Sequence, residues 1–192
     1  MLPYLSKKYL NVRKKILKPF IIKINPNIVT IVALLVALAA GLSFYYDLVL
    51  LAGFLVLLNG FLDVLDGEIA KQFGKATKLG DFLDHTLDRV ADIFIFLGIT
   101  FHPSVPLWLG FSTIIVVLMV SYLGTQAHAL CKKRIYGGLL GRADRILFLF
   151  IFSIAYVFYA KSLYYGIWLI FILSLVTVIQ RFWYSYKILK RK

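Results

Sequence analysis

The chain has 192 residues, is 61% hydrophobic and carries a formal net charge of +13, whereas a soluble globular domain has an apolar share of about 45–50%. That composition excludes an ordinary water-soluble enzyme and leaves room for a single domain over residues 1–192. It also turns the excess of basic residues toward anionic lipid or an anionic substrate rather than nucleic acid. Cys131 is the only cysteine, which excludes an intramolecular disulfide and a thiolate metal site.

From Leu2 to Ile24, basic residues are interleaved with Leu5, Leu10, Val12, Ile16, Leu17 and Phe20. This pattern predicts an amphipathic helix over 1–24 lying on the membrane face, lysines toward anionic headgroups. The first apolar run comes late and lacks a small-residue cleavage pattern, so no cleaved signal peptide is expected. Asn25-Pro26-Asn27 then breaks the chain, with Asn27 and Thr30 as the expected N-cap region of the first span. Hydropathy predicts an all-α integral membrane protein whose six-helix bundle occupies 27–186. Its spans run at about Asn27–Tyr46, Leu48–Phe73, Leu79–Phe101, Pro106–Leu130, Ile146–Ala160 and Leu163–Tyr186, each near the ~20 residues that cross a bilayer.

Alternate connections differ in charge. Lys7 to Lys23 precede the first span, Lys71, Lys75 and Lys78 lie between the second and third, Lys132, Lys133, Arg134 and Arg142 lie between the fourth and fifth, and Lys187 to Lys192 end the chain. The other connections hold Asp47, the His102-Pro103-Ser104 turn and Lys161. The positive-inside rule therefore predicts that both termini and the basic loops face the cytoplasm.

Acidic residues are concentrated in one place. The chain has nine, and seven of them (Asp63, Asp66, Glu68, Asp81, Asp84, Asp88 and Asp92) fall in the second and third predicted helices and their connection. An aspartate at mid-helix opposes insertion by about 2.5–3.5 kcal/mol, so the cluster needs compensating cations. Asp63 and Asp66 are i,i+3 and Asp84 and Asp88 are i,i+4, so each pair shares a helix face. An antiparallel hairpin would converge all four. Hard oxygen donors without His or Cys suit Mg2+ or Mn2+, and two such ions suit phosphoryl displacement. Gly67 and Gly80 leave room for a ligand to approach the backbone. Lys71, Lys75 and Lys78 fit an anionic, phosphate-bearing substrate. Two other readings stand beside this one: a cation-transport pathway, and a set of ion pairs that holds the bundle together.

The run Asp63-Val-Leu-Asp66-Gly67-Glu-Ile-Ala70-Lys71, followed by Gly80, Asp84 and Asp88, resembles the signature D-x2-D-G-x2-A-R-x8-G-x3-D-x3-D of the CDP-alcohol phosphotransferases. Every fixed position matches except that Lys71 stands where the family has arginine, which keeps the charge but gives up two-pronged phosphate binding. The resemblance implies an enzyme with a six-helix fold over the whole chain, a homodimer in the cell membrane with its active site toward the cytoplasm. It implies that Asp63, Asp66, Asp84 and Asp88 ligate the metals and that Asp88 also takes the proton of the attacking alcohol. Asp66, Gly67, Ala70, Lys71 and Gly80 would bind the CDP moiety of an activated lipid, and CMP would leave.

Ser121-Tyr122 and the run Gly138-Leu-Leu-Gly141-Arg142-Ala-Asp-Arg145 resemble the branch that makes phosphatidylinositol phosphate or archaetidylinositol phosphate. In that branch Arg142 and Arg145, one helical turn apart, would hold the phosphate of an inositol phosphate acceptor; as residues alone they also read as positive-inside flanks. The run from Ser121 to His128 is similar to an archaeal subgroup, whose donor would be CDP-archaeol rather than CDP-diacylglycerol. Glycerol phosphate, serine and free inositol are the alternative acceptors. His102 is expected to be solvated in its turn, and His85 to point away from the Asp84 face.

Overall fold

A computed structural model describes residues 18–21, 23–131 and 138–190. Of the predicted interfacial helix only residues 18–21, 23 and 24 are described, with a 3₁₀ turn at Lys18–Phe20 and no helix beyond it; Lys132, Lys133 and Arg134 lie outside the described residues. Six helices follow: α1 Pro26–Tyr45, α2 Val49–Gln72, α3 Lys78–Thr100, α4 Leu107–Cys131, α5 Arg142–Phe158 and α6 Ser162–Lys190. α1, α2, α4 and α6 are long and apolar enough to cross a membrane. α3 carries the acids, and α5 has 17 residues.

Helix starts depart from expectation in two places. Asn25, not Asn27, caps α1: its side chain accepts the Asn27 N–H at 3.1 Å. Pro26, which has no N–H and a preset φ, then fits the first turn. Thr30 turns inward instead. α5 begins at Arg142, four residues before the apolar run at Ile146, because Asp144 accepts the Gly141 N–H at 2.8 Å and closes the first turn. Both arginines are thereby carried on the helix rather than in its flank.

The main packing contacts close a ring in the order α1–α2–α5–α6–α4–α3. Small residues allow it, as they do wherever helices pack without a hydrophobic drive between them. Gly41 and Gly98 meet so closely that a Cβ on Gly98 would stand 1.9 Å from the Gly41 carbonyl oxygen. Gly53 likewise admits Ser153 of α5 against α2. Phe44, Val56, Ile99, Leu109, Leu163, Ile167 and Ile170 are buried inside the ring, while many Leu, Ile and Phe side chains cover its outside.

The two ends of the ring differ. At the end where α1 turns into α2, Asp47 adopts a left-handed φ of 61°. Its carboxylate accepts from Tyr156 Oη of α5 at 2.8 Å and lies 2.9 Å from His102 Nε2. The Ser104 N–H donates to His102 Nδ1, so Nε2 carries the proton and donates to Asp47. The Tyr156 bond, and after it the His102 bond, hold the Asp47 carboxyl below its ordinary value of 3.8. His102 is only 2% exposed. The expectation of a solvated histidine was wrong, because a polar turn packed on the bundle can bury an imidazole once both its nitrogens have partners.

Candidate active site

The other end is built where α2 ends and α3 begins, with α1 packed against both. Asp63 and Asp66 lie in the last turns of α2. The connection turns at Gly74, with φ +62°, and Thr77 caps α3 by accepting the Gly80 N–H at 3.0 Å. Asp84 and Asp88 therefore start α3 opposite the first pair. Asp63, Asp66 and Asp84 each present a carboxylate oxygen within 4.8 Å of the others. Asp66 is buried and accepts from Thr30 Oγ1 at 2.7 Å.

Asp88 does not join that group. It faces α5, where Arg142 Nη1 donates to Asp88 Oδ1 and lies 2.9 Å from Asp63 Oδ1. Arg142 Nη2 donates to Asn59 Oδ1 at 3.3 Å, and Asn59 in turn donates to the Ala33 carbonyl at 2.8 Å. Arg145 is fully buried and donates to Asp92 Oδ2 at 2.8 Å. Arg89 lies 3.9 Å from Asp88 Oδ2, and Arg142 and Arg145 reach the same acids because α5 begins earlier than hydropathy indicates.

The donor set fits a hard divalent cation. It is carboxylate only, which suits Mg2+ or Mn2+ better than Zn2+. Asp84 Oδ1 is buried with no hydrogen-bond partner, and a buried unsatisfied oxygen is costly unless something binds it.

Two cavities flank the carboxylates. The first, of about 230 Å³, is bounded by Thr30 of α1, Asp66, Gly67, Ala70 and Lys71 of α2, and Gly80 and Asp84 of α3. Every residue expected to hold a CDP group thus lines one space. Gly67 faces it squarely: a Cβ there would meet nothing within 4 Å, so a side chain would occupy the cavity rather than strain the protein. Lys71 stays at the rim, 3.8 Å from Glu68 and largely exposed.

The second cavity, of about 320 Å³, lies between α3, α4, α5 and α6, with Asp88, Arg89, Ser121, His128, Arg142, Arg145 and Arg181 in its wall. Asp81 borders both spaces. Arg181 is the residue that sequence reasoning missed. It stands on α6 inside a stretch read as an apolar span, and Nη1 donates to the Val120 carbonyl at 2.7 Å. A basic residue within such a span was the available signal. His85 lies 3.8 Å from Asp84 Oδ2 through Nδ1, nearer the carboxylates than its helical angle suggested.

Residues 23–183 match the family model of CDP-alcohol phosphatidyltransferase. The chain is 38% identical over 158 residues to archaetidylinositol phosphate synthase of Pyrococcus horikoshii, covering 82% of this chain and 81% of that one. It is 31% identical over 196 residues to the protein of the same name from Methanothermobacter thermautotrophicus, covering 98% and 100%. Among solved structures, Mycobacterium tuberculosis phosphatidylinositol phosphate synthase with CDP-DAG bound superposes with a TM-score of 0.78 at 23% identity, covering 92% of this chain and 94% of that one. The same protein in complex with manganese and citrate gives 0.76 at 24%, covering 92% and 88%. These structural likenesses establish a shared fold.

Proposed function

This chain belongs to the CDP-alcohol phosphatidyltransferase family, and from that premise we propose that it transfers a lipid phosphatidyl-type group from a CDP-lipid to inositol phosphate, releasing CMP. As a family member it is a transferase of phosphate-containing groups in phospholipid biosynthesis.

One observation carries the finer reading: the carboxylates stand where two chemically different cavities meet. The Gly67 cavity has open backbone and Lys71 at its rim, which suits a nucleotide diphosphate. The second cavity gathers Arg89, Arg142, Arg145 and Arg181, and guanidiniums suit a phosphate monoester through paired charge-assisted bonds. Serine and free inositol would leave those arginines without an anion. Two relatives named archaetidylinositol phosphate synthase support the same acceptor and favour an archaeol-type donor over diacylglycerol.

Asp63, Asp66, Asp84 and Asp88 would hold Mg2+ or Mn2+, two ions in the fullest arrangement; bound there, such ions neutralise the donor diphosphate. The chain's own groups do the rest. Asp88, at the border of the acceptor cavity, takes the proton of the attacking hydroxyl. The hydroxyl oxygen bonds to the phosphorus next to the lipid, and the bond from that phosphorus to the CMP oxygen breaks. Arg145 and Arg181 orient the acceptor phosphate, and the Gly67 wall holds the cytidine end.

In this reading all six helices span the membrane, both termini and the carboxylate end face the cytoplasm, residues 1–24 lie on the bilayer surface, and two chains pair as a homodimer. The excess of basic residues on alternate connections supports the orientation. On sealed vesicles, Lys75→Cys should label from the cytoplasmic side and Ser104→Cys only from outside; labelling of position 75 from outside would reverse it. The activity is tested by CMP release from CDP-archaeol and CDP-diacylglycerol against inositol phosphate, glycerol phosphate, serine and inositol. Release with serine or inositol alone would discard the acceptor assignment and keep the family.

A further inference from the structure

Arg142 is gripped more firmly than an acceptor-binding arginine requires. Its Nη1 lies against two carboxylates, Asp63 and Asp88. Asp63 is shared, because it also contributes an oxygen to the group formed with Asp66 and Asp84. Asp88 is absent from that group and is turned to the guanidinium instead. The guanidinium therefore stands between Asp88 and Asp63, where a cation taking both as ligands would sit.

The far side of the same side chain has an alternative. Arg142 Nε is buried without a hydrogen-bond partner and lies 3.6 Å from Asp92 Oδ1, too long for a hydrogen bond. Asp92 Oδ2 is bonded to Arg145. Asp92, one helical turn beyond Asp88 and buried, thus keeps one oxygen turned toward a donor that it does not yet bind.

We propose that Arg142 is a displaceable counter-ion. In the cation-free protein it compensates Asp63 and Asp88, and a divalent cation that takes Asp88 as ligand drives the guanidinium toward the spare oxygen of Asp92. A divalent cation on Asp63 and Asp88 would be pressed against the positive guanidinium that now occupies the space between them, so cation binding bears the cost of moving Arg142, which weakens the apparent affinity. In return, the acid cluster never stands bare in a low-dielectric bundle, where uncompensated charge is strongly unfavourable. The proposal rests on the reading of the carboxylates as a cation site.

The test needs no turnover. Mn2+ binding to the purified full chain in detergent, without substrate, is followed by the electron paramagnetic resonance signal of the free ion. Arg142→Ala should tighten binding by roughly tenfold, the loss of one charge-assisted contact to be displaced. Arg142→Lys keeps the charge but gives up the forked contact, and should fall between wild type and Arg142→Ala. Asp92→Asn, which removes the landing place, should weaken binding. An affinity for Arg142→Lys equal to wild type means that only through-space charge acts, and overturns the proposal; so does unchanged or weaker binding by Arg142→Ala. Asp63→Asn separates the two levels: if wild type binds no Mn2+, or Asp63→Asn binds as well as wild type, the cation reading itself fails.

Discussion

The two ends of the helix ring both join acids to bases, and they do so to opposite effect. At one end Asp47, His102, Ser104 and Tyr156 pair with one another: the imidazole uses both nitrogens, and Oδ1 of the largely exposed Asp47 carboxylate accepts two donors. Neither of the two cavities described above is lined by any of these four residues. At the other end the acids outnumber the guanidiniums that reach them, Asp84 Oδ1 and Arg142 Nε are left without partners, and two cavities meet. A polar cluster that closes on itself fixes a turn. One that remains short of partners beside open space is waiting for a ligand.

Substitutions can break this contrast, and the largest effect is expected at Asp88. Asp88→Asn is nearly isosteric and removes the proton acceptor, so CMP formation should fall by roughly 10²–10⁴-fold while the protein still folds. Activity within tenfold of wild type would remove Asp88 from that role. Asp63→Asn and Asp84→Asn should match it through weakened cation binding.

Arg181→Ala comes next. Removing one guanidinium from the cavity proposed to take the acceptor should raise the KM for inositol phosphate by roughly ten- to a hundredfold, with the KM for CDP-lipid little changed. Arg145→Ala is a poorer probe of the same cavity, because it leaves Asp92 buried without its closest partner and should cost stability first. Equal shifts in both KM values for Arg181→Ala would assign Arg181 to packing.

The smallest effect belongs to the satisfied end. The Asp47 carboxylate is mostly exposed, 64%, so Asp47→Asn should cost about 1 kcal/mol or less and leave CMP formation unchanged. The carboxyl is held below its ordinary range, so its contribution is complete above about pH 4 and is lost only as the pH falls through the lowered value. The melting difference between wild type and Asp47→Asn should therefore be the same at pH 8 and pH 5. A difference that already shrinks between those values would show that another group in the cluster titrates.

Much of the carboxylate end was legible in the sequence because it is local. The spacings set helix faces that bring Asp63, Asp66 and Asp84 together though not Asp88, and Gly67, Ala70, Lys71 and Gly80 line one cavity. What was hidden depends on partners distant along the chain. Arg142 and Arg145 were read as an acceptor-phosphate clamp at the start of the fifth span, but their ion pairs with Asp63, Asp88 and Asp92 were not seen, because hydropathy shows only the apolar run after Ile146, whereas the Asp144 contact to Gly141 begins the helix earlier. Arg181 was absorbed into an apolar span because nothing near it on α6 reveals Val120 or the cavity. His102 was given to solvent because its two partners come from separate turns, one of them 55 residues away.

The order of helices around the ring has a consequence for how the protein is made. α1 with α2, α3 with α4 and α5 with α6 are consecutive in the chain and also adjacent in space, so in the six-span arrangement proposed above the bundle can enter the bilayer as three hairpins, each complete before the next is synthesised. The third hairpin brings Arg142, Arg145 and Arg181 together. Until it arrives, Asp63, Asp88 and Asp92 sit in the nascent protein without the guanidiniums that later hold them. The last hairpin to emerge from the ribosome therefore closes the ring and delivers its counter-charge in one step.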